Sequence, residues 1–330
     1  MKLTRVIALF IARSKEFYRD PAAMLWTILF PVLMIVAFGY MFDFDTEPKL
    51  KLGLVAVEKD YEDFDEIYFQ DKKSALNSLE KHGVDIVFDG KTYFVNETSP
   101  KAGEASLMFE GTLARQSNLF LAQRSVISTV KYGYVDWLLA GLLTLNASWG
   151  ALFGIGWVVV RHRKLDVLKR LSASPVRASE YLLANMLSRV VVIVLTGVLV
   201  YGISLLVYPF SMKGSFLEFF FVYGLGALSL ASLGLIVAAR SRSEEFASGI
   251  LQFVNYPLIF ISEVFFSLEG SPDWVKDIAF FSPLFQTTDL MRKIMLEGQS
   301  LFDYPAELSV LLLTSLVFIA AGSLMFRWTS

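Results

Sequence analysis

The sequence predicts an α-helical polytopic membrane protein with six transmembrane helices. Hydrophobic residues make up 55% of the 330 positions and charged residues only 19%, a composition typical of membrane proteins. The apolar residues fall in long runs, and a single long polar segment, 43–135, separates the first run from the others. The predicted fold adds three parts to the spans: an amino-terminal interfacial helix, a small extracytoplasmic α/β domain between helices 1 and 2, and a re-entrant helical hairpin between helices 5 and 6.

The amino-terminal segment, 1–20, is amphipathic, with Leu3, Ile7 and Ile11 on one helical face and charged residues on the other. An ordinary soluble helix would show the same pattern, but the adjoining run favours a helix lying in the cytoplasmic interface. That run, 21–42, contains no charged residue and is long enough to span a bilayer. It is the predicted first span, and Pro31 is expected to kink it.

The polar segment 43–135 is predicted to fold as an α/β domain. The dipeptide Asp89-Gly90 is typical of a tight β-hairpin turn. The predicted elements, in order, are a strand at 49–57, a helix at 72–81, strands at 85–88 and 92–95, and a helix at 107–130.

Five further apolar runs complete the predicted membrane region. They are 136–160, 181–208, 216–239, 246–266 and 306–326. Segment 267–298 is too polar to span and too apolar for a plain loop. Ser271-Pro272 and Ser282-Pro283 are each typical of a helix start, which predicts two short helices in a re-entrant hairpin.

Basic residues predict the orientation of the chain. They cluster in 1–20, in the loop 161–180 and at 240–242, and Arg327 follows the last span. With six spans all of these lie on one side, which the positive-inside rule identifies as the cytoplasm. The prediction is a multi-pass protein of the cell (plasma) membrane with both termini cytoplasmic.

Several function classes are excluded or disfavoured. The chain has no cysteine, two histidines and a net charge of −2, so neither a metal centre nor nucleic-acid binding is expected. It lacks a nucleotide-binding motif and a catalytic constellation, and Glu218, Glu263 and Glu307 lie near helix ends rather than at the midplane. No catalytic residue and no bound cofactor are therefore predicted. Any uphill transport would draw its energy from another chain, and 161–180 is the one substantial cytoplasmic element between spans.

The loop 161–180 (RHRKLDVLKRLSASPVRASE) is predicted to hold a short amphipathic helix that ends before Pro175. Leu165, Leu168 and Leu171 recur at helical spacing, and the basic residues lie off that stripe. One interpretation is a docking element for another protein. The alternative is that the basic residues only fix topology and bind anionic lipid.

Polar and proline positions inside two spans are candidates for a substrate path: Asn146 and Trp149 in the second span, and Asn255, Pro257 and Glu263 in the fifth. The alternatives are close helix packing through small residues around Asn146 and an internally satisfied kink at Asn255.

Two stretches resemble the permease subunit of type-2 ABC transporters. Residues 163–184 resemble that family's basic helix, Arg-Leu pair, Ser-Pro and following hydrophobic helix. Residues 255–292 resemble its carboxy-terminal pattern of an Asn/Pro-bearing fifth helix, a Pro-x-Trp turn, a Pro-Leu pair and an Asp-x-x-Arg ending. The chain departs from the family at Lys164 and Asp166, where members often carry an acid and a glycine, and its external domain is smaller.

The resemblance implies a homodimer or heterodimer of permeases bound to two ABC nucleotide-binding ATPase subunits, which hold the ATP and Mg. It implies that the loop helix is seated in a cleft of the ATPase. The residues implied in coupling are Arg163, Lys164, Leu165, Asp166, Leu168, Lys169, Arg170, Leu171 and Pro175. The outer hairpin would act as a gate through Trp274, Pro283 and Phe285.

The leading hypothesis is the permease subunit of an ATP-driven ABC exporter with an amphipathic or lipid-like substrate. The alternative is a membrane-anchored sensor or assembly factor whose external domain binds a ligand.

Overall fold

The computed structural model describes residues 3–41, 50–55, 61, 63–96, 99, 101–116, 123–127, 134–208, 210, 212–241, 243–268, 271–326 and 328. The basic residues Arg242 and Arg327, used above to predict orientation, lie outside these ranges. The chain divides into two compact units. A helical unit comprises Met1–Ile35, Leu139–Val264 and Asp277–Ser330, and an α/β unit comprises Val36–Leu138 and Phe265–Lys276.

The α/β unit is built on a five-stranded sheet with the order β2-β1-β3-β4-β5. Its strands are β1 Lys51–Val55, β2 Asp65–Phe69, β3 Ile86–Phe88, β4 Thr92–Asn96 and β5 Gln123–Ile127. Strands β3 and β4 pair antiparallel, whereas the other neighbours pair parallel. Helices α3 (Lys72–Glu80) and α4 (Ala102–Gln116) complete the fold.

Successive side chains of each strand point to opposite faces of the sheet, and both faces carry apolar residues. Leu52 and Leu54 of β1 join Phe109 of α4 in one buried cluster. Val55, on the other face of the same strand, joins Leu79 of α3 in a second cluster. The sheet is therefore covered by one helix on each face.

The hairpin between β3 and β4 forms at the predicted dipeptide. The Asp89 carboxylate accepts hydrogen bonds from the backbone N–H groups of Lys91 and Thr92 at 3.1 and 2.8 Å. Gly90 has φ 85°, a conformation in which a Cβ would be strained. The predicted helix over 107–130 is wrong in its second half, because α4 ends at Gln116 and residues 123–127 form β5. Strand β2 was not predicted.

The helical unit contains most of the remaining elements, and three of them, α2, α5 and α10, have residues in both units. The helices are α1 Leu3–Tyr18, α2 Pro21–Met41, α5 Tyr134–Lys164, α6 Val167–Ser172, α7 Ala178–Val207, α8 Phe216–Arg240, α9 Glu244–Phe260, α10 Asp273–Phe280, α11 Pro283–Arg292 and α12 Pro305–Met325. A π-helical turn, Lys293–Glu297, follows α11, and a 3₁₀ turn, Leu301–Asp303, precedes α12.

Five of these helices are long and apolar enough to cross a membrane, counting only the residues that the structure describes: α2, α5, α7, α8 and α12. Segment 246–266, the predicted fifth span, corresponds to α9, which has 17 residues and ends at Phe260. Turns follow from Ile261 to Phe266. The count of six spans stays a prediction.

Helix α5 is the most buried of the five, with 83% of its most apolar stretch inside the protein. Small residues let α8 approach it closely. A Cβ added to Gly234 of α8 would lie 2.7 Å from the backbone oxygen of Leu152 in α5, so no larger residue fits there without movement.

Helix α1 packs against α7. Val6 is buried, and the hydroxyls of Ser14 and Ser188 are 2.8 Å apart. Leu3, Ile7 and Ile11 are 69, 48 and 45% exposed and follow one line along the helix. The apolar face predicted for this segment is thus divided between packing against α7 and an exposed stripe suited to a membrane surface.

Candidate functional site

The segment between α5 and α7 forms a compact turn with a short helix. Helix α5 continues to Lys164, beyond the predicted end of the span at 160, and Asp166 then adopts a left-handed conformation with φ 56°. Helix α6 has six residues, Val167–Ser172, and α7 begins at Ala178. A short helix does form within the predicted range, but Leu165 belongs to the turn that precedes it.

Three of the predicted coupling residues are committed to contacts within the chain. Leu168 is 0% exposed. The guanidinium of Arg163 donates to the backbone oxygens of Ala238 and Ser241 at 3.1 and 2.8 Å, where it caps the carboxyl end of α8. Lys164 pairs with Glu244 of α9 at 3.4 Å. Leu168 was predicted as a coupling residue, and its side chain packs in this chain's own core.

Four neighbouring residues, Leu165, Asp166, Lys169 and Arg170, are exposed, and we call them the coupling surface. Leu165 is 53% exposed, and Arg170 donates to its backbone oxygen at 3.1 Å. Leu171 is half-buried. An apolar side chain flanked by bases and one acid is available on this side of the loop.

Helix α1 is tied to this region. Arg5 donates to the backbone oxygen of Pro175, an exposed residue, and lies 3.9 Å from the buried carboxylate of Glu180. Glu16 pairs with Arg13 at 2.6 Å and with His162 of α5 at 3.5 Å.

The Glu16 contacts change its acidity. Its pKa is lowered from 4.5 to about 2, chiefly because the carboxylate accepts a hydrogen bond from His162. Burial opposes this shift, and the charge of Arg13 adds to the lowering.

The two asparagines predicted for a substrate path join helices to one another. Asn146 donates to the backbone oxygen of Thr27 in α2 at 2.9 Å. The Ser148 hydroxyl of α5 donates to the side-chain oxygen of Asn255 in α9. Asn255 is 0% exposed, so its side chain packs between helices.

Pro257 and Glu263 lie near the end of α9. Pro257 is exposed within the helix, and its backbone oxygen accepts from Ile261 at 3.1 Å. Glu263 has φ 51°, and its carboxylate lies 3.8 Å from Arg292 of α11. Arg292 also donates to the backbone oxygen of Glu263 at 2.6 Å and is only 6% exposed. Arg292 was not among the predicted site residues, although it ends the Asp-x-x-Arg pattern in the sequence.

The three predicted gate residues differ in exposure. Trp274 on α10 is 63% exposed, whereas Pro283 is buried and Phe285 is half-buried at the start of α11. Ser282 caps α11 by accepting a hydrogen bond from the Phe285 backbone at 3.3 Å. Both short helices form, and their depth relative to a membrane stays a prediction.

Trp149 lies in the wall of a groove of about 350 Å³ within the helical unit. Its ring stacks on Phe153 at 5.1 Å and meets Tyr256 edge to face at 5.9 Å. The groove is lined by residues of α1, α2, α5 and α7 together with Asp20. Trp149 is thus the one residue of the predicted path that the described structure places in this groove.

The sequence is similar to known transporter proteins. The family described as "ABC-2 family transporter protein" matches residues 22–324. The probable multidrug ABC transporter permease YbhR of Escherichia coli K12 is 24% identical over 195 residues, 59% of this chain and 53% of that protein, so the chain spans about half its length.

Two further relatives match over other lengths. The probable multidrug ABC transporter permease YbhS of the same strain is 19% identical over 364 residues, 98% of this chain and 94% of that protein. ABC transporter G family member 20 of Dictyostelium discoideum is 25% identical over 251 residues, 73% of this chain and 34% of that protein.

Proposed function

Because the chain belongs to the ABC-2 family of transporter proteins, we propose that this permease serves an ATP-driven exporter and is powered by a separate nucleotide-binding subunit. That subunit docks on the coupling surface. The partner subunit, and not this chain, holds the ATP and Mg. The observation that carries the proposal is the division of the α6 region into a side anchored in the bundle and a side left exposed.

The anchored side supplies the mechanical connection. Arg163 links the end of α5 to the end of α8, and Lys164 links it to the start of α9. A force applied to the coupling surface is therefore passed to the ends of several helices at once, and they tilt as rigid bodies. A loop held only at its two ends would absorb such a force by bending.

The substrate and the assembly follow from the same proposal. The Escherichia coli relatives are named as probable multidrug permeases, which supports an amphipathic or lipid-like substrate. The substrate crosses between two permease copies, identical or different, and the segment from α10 to α11 forms the outer gate. The proposed setting is the plasma membrane, with both termini in the cytoplasm.

The docking proposal is tested with substitutions in the coupling surface alone. Leu165→Asp combined with Arg170→Glu reverses the character of the coupling surface while leaving the buried Leu168 in place. We expect at least a tenfold loss of co-purifying ATPase activity and loss of ATP-dependent export of a fluorescent amphipathic dye from cells. Membrane insertion and the elution profile of the purified chain should not change.

A matched control makes the same two chemical changes on the α/β unit. Leu107→Asp with Lys73→Glu alters one exposed leucine and one exposed base and should leave ATPase association intact. If the coupling-surface variant keeps both its ATPase and its export activity, the docking proposal is wrong. If both double variants lose export while ATPase association persists, a ligand-binding role of the α/β unit is favoured instead.

A further inference from the structure

The groove that contains Trp149 carries both charged and aromatic side chains. Its charged lining consists of Arg13, Glu16, Asp20, Arg161 and Arg189. Five aromatic rings line the remainder, and they are Phe17, Trp26, Trp149, Phe153 and Trp157. A volume of about 350 Å³ lies within the range of small-molecule sites.

Both acids of the groove are already engaged within the chain. Glu16 is paired with Arg13 at 2.6 Å. The carboxylate of Asp20 accepts from the backbone N–H of Ala23 at 3.0 Å, at the start of α2, where a negative charge is favoured by the helix dipole. In the described part of the chain, neither acid forms an ion pair with Arg161 or Arg189.

Arg161 and Arg189 have no carboxylate partner among the residues that the structure describes. Arg161 is exposed and lies over the Trp157 ring at 5.0 Å. Arg189 lies over the Phe17 ring at 5.4 Å and donates through Nε to the backbone oxygen of Gly150. Stacking on an aromatic ring orients a guanidinium while leaving its N–H groups able to bind an oxyanion.

Aromatic side chains form an apolar part of the same groove. Trp26 of α2 is 63% exposed, and Trp149 stacks on Phe153 in the lining. Indole rings are enriched where a surface passes from the polar headgroup region to the hydrocarbon of a bilayer. A ligand for this groove needs an anionic head and an apolar body.

We propose that this groove binds an acidic phospholipid from the bilayer, with its phosphate on Arg161 and Arg189 and an acyl chain against Trp26, Trp149 and Phe153. A phospholipid meets both requirements, and it is the one such molecule that surrounds a membrane protein throughout its life. A cationic ligand is disfavoured, because the three arginines of the groove outnumber its two acids and two of the arginines have no carboxylate partner among the described residues.

This inference goes beyond the proposed function and needs no ATPase. It can be measured on the purified permease chain alone, so loss of lipid binding and loss of ATPase docking are separate observations.

The test uses tryptophan fluorescence as the reporter, since three of the six tryptophans of the chain line the groove. The purified full chain is mixed with detergent micelles containing brominated phosphatidylglycerol or brominated phosphatidylcholine, and quenching of tryptophan fluorescence is titrated. We expect half-maximal quenching at a several-fold lower mole fraction of phosphatidylglycerol. Arg161→Gln should weaken this preference about fivefold, the change that corresponds to ~1 kcal/mol for one basic residue near a lipid phosphate.

Two further variants define the origin of the effect. Arg161→Lys keeps the charge and should retain most of the preference. Arg240→Gln removes an exposed arginine that does not line the groove and should leave the preference unchanged.

Three outcomes would overturn the proposal. The first is equal quenching by the two lipids in the unaltered chain. The second is an unchanged preference in Arg161→Gln. The third is displacement of the brominated phosphatidylglycerol by low millimolar inorganic phosphate, which would assign the cations to a free anion.

Discussion

At the scale of single residues, Arg292 is the charge on which the turn after α9 depends. It is buried, and it donates to the backbone oxygens of Glu263 and Val264 at 2.6 and 3.4 Å. Hydrogen bonds from charged donors contribute about 1.5–3 kcal/mol each, and a buried carbonyl that loses its donor is costly. Arg292 therefore acts in folding, and Glu263 acts as its partner.

Arg292→Met is expected to destabilise the purified chain by about 2–3 kcal/mol, since the two carbonyls lose their donor. Thermal unfolding in detergent should show a Tm lower by about 5 °C or more. Arg240→Met, a change at an exposed arginine, should leave Tm unaltered. Glu263→Gln keeps an acceptor for Arg292, and unchanged export by this variant would exclude a substrate-binding role for the Glu263 charge.

The lowered pKa of Glu16 gives a second prediction at this scale. A carboxylate with a lowered pKa stabilises the folded state above its ordinary value of 4.5, and the contribution is lost only as pH falls through about 2. Helix α1 should therefore stay docked at pH 4. Because the chain has no cysteine, a single spin label on K15C reports the mobility of α1.

The spectra of this label at pH 7 and pH 4 should superimpose. Adding Glu16→Gln should raise the mobility at both values, because the contacts with Arg13 and His162 lose their charge. Mobility that rises near pH 4.5 in the unaltered background would contradict the assigned contacts.

Single residues were the hardest part to predict from sequence. The partner of Glu263 lies 29 positions away, and only the folded chain brings the two together. Leu168 and Leu165 carry the same side chain, yet one is buried and the other exposed, because the left-handed turn at Asp166 ends the helical register that predicted a common stripe.

At the scale of elements, the close packing of α5 against α8 depends on a glycine, Gly234, at the contact between the two helices. Gly234→Ala would place a methyl group 2.7 Å from a backbone oxygen, which cannot rotate away. We expect a loss of about 1–3 kcal/mol from overpacking, read as a lower Tm in detergent. Gly202→Ala on α7 is the matched control, since nothing lies within 4 Å of its added Cβ; its better helix propensity should leave Tm equal or higher.

Long apolar runs predicted helices well, because hydrophobicity over some twenty residues is a strong local signal. The α/β unit was predicted less completely. In β2 only Ile67 is buried, so the strand shows little alternation. Residues 123–127 follow a helix-forming stretch, and their pairing with β4 depends on a partner about 30 positions earlier. The groove with Arg161 and Arg189 draws on four helices, and no local pattern predicts such a site.

At the scale of the whole molecule, the number of spans depends on α9. Seventeen residues of helix measure about 25 Å, which is less than the ~30 Å of a hydrocarbon core. The turns from Ile261 to Phe266 must complete the crossing if α9 spans. The side on which Lys276 lies therefore decides between six spans and five.

Cysteine labelling in intact cells can make this decision, because the chain contains no competing thiol. We expect K276C and K73C to react with a membrane-impermeant maleimide added outside, and K169C to react only after permeabilisation. Reaction of K276C only after permeabilisation, with K73C still reacting outside, would mean that α9 turns back and that the carboxyl terminus lies outside.

If the ATPase docks as proposed, the anchoring of α6 separates recognition of the ATPase from folding of the chain. Leu168 and Arg163 hold the segment in place through contacts inside the bundle. The four side chains of the coupling surface are exposed, so replacing them leaves no cavity in the bundle. They can consequently be exchanged as a set. A chain that carries the corresponding four residues of another permease should fold normally and recruit that permease's ATPase. Duplicated copies of such a chain could then acquire new partners through substitutions at a few surface positions, while the buried residues stay unchanged.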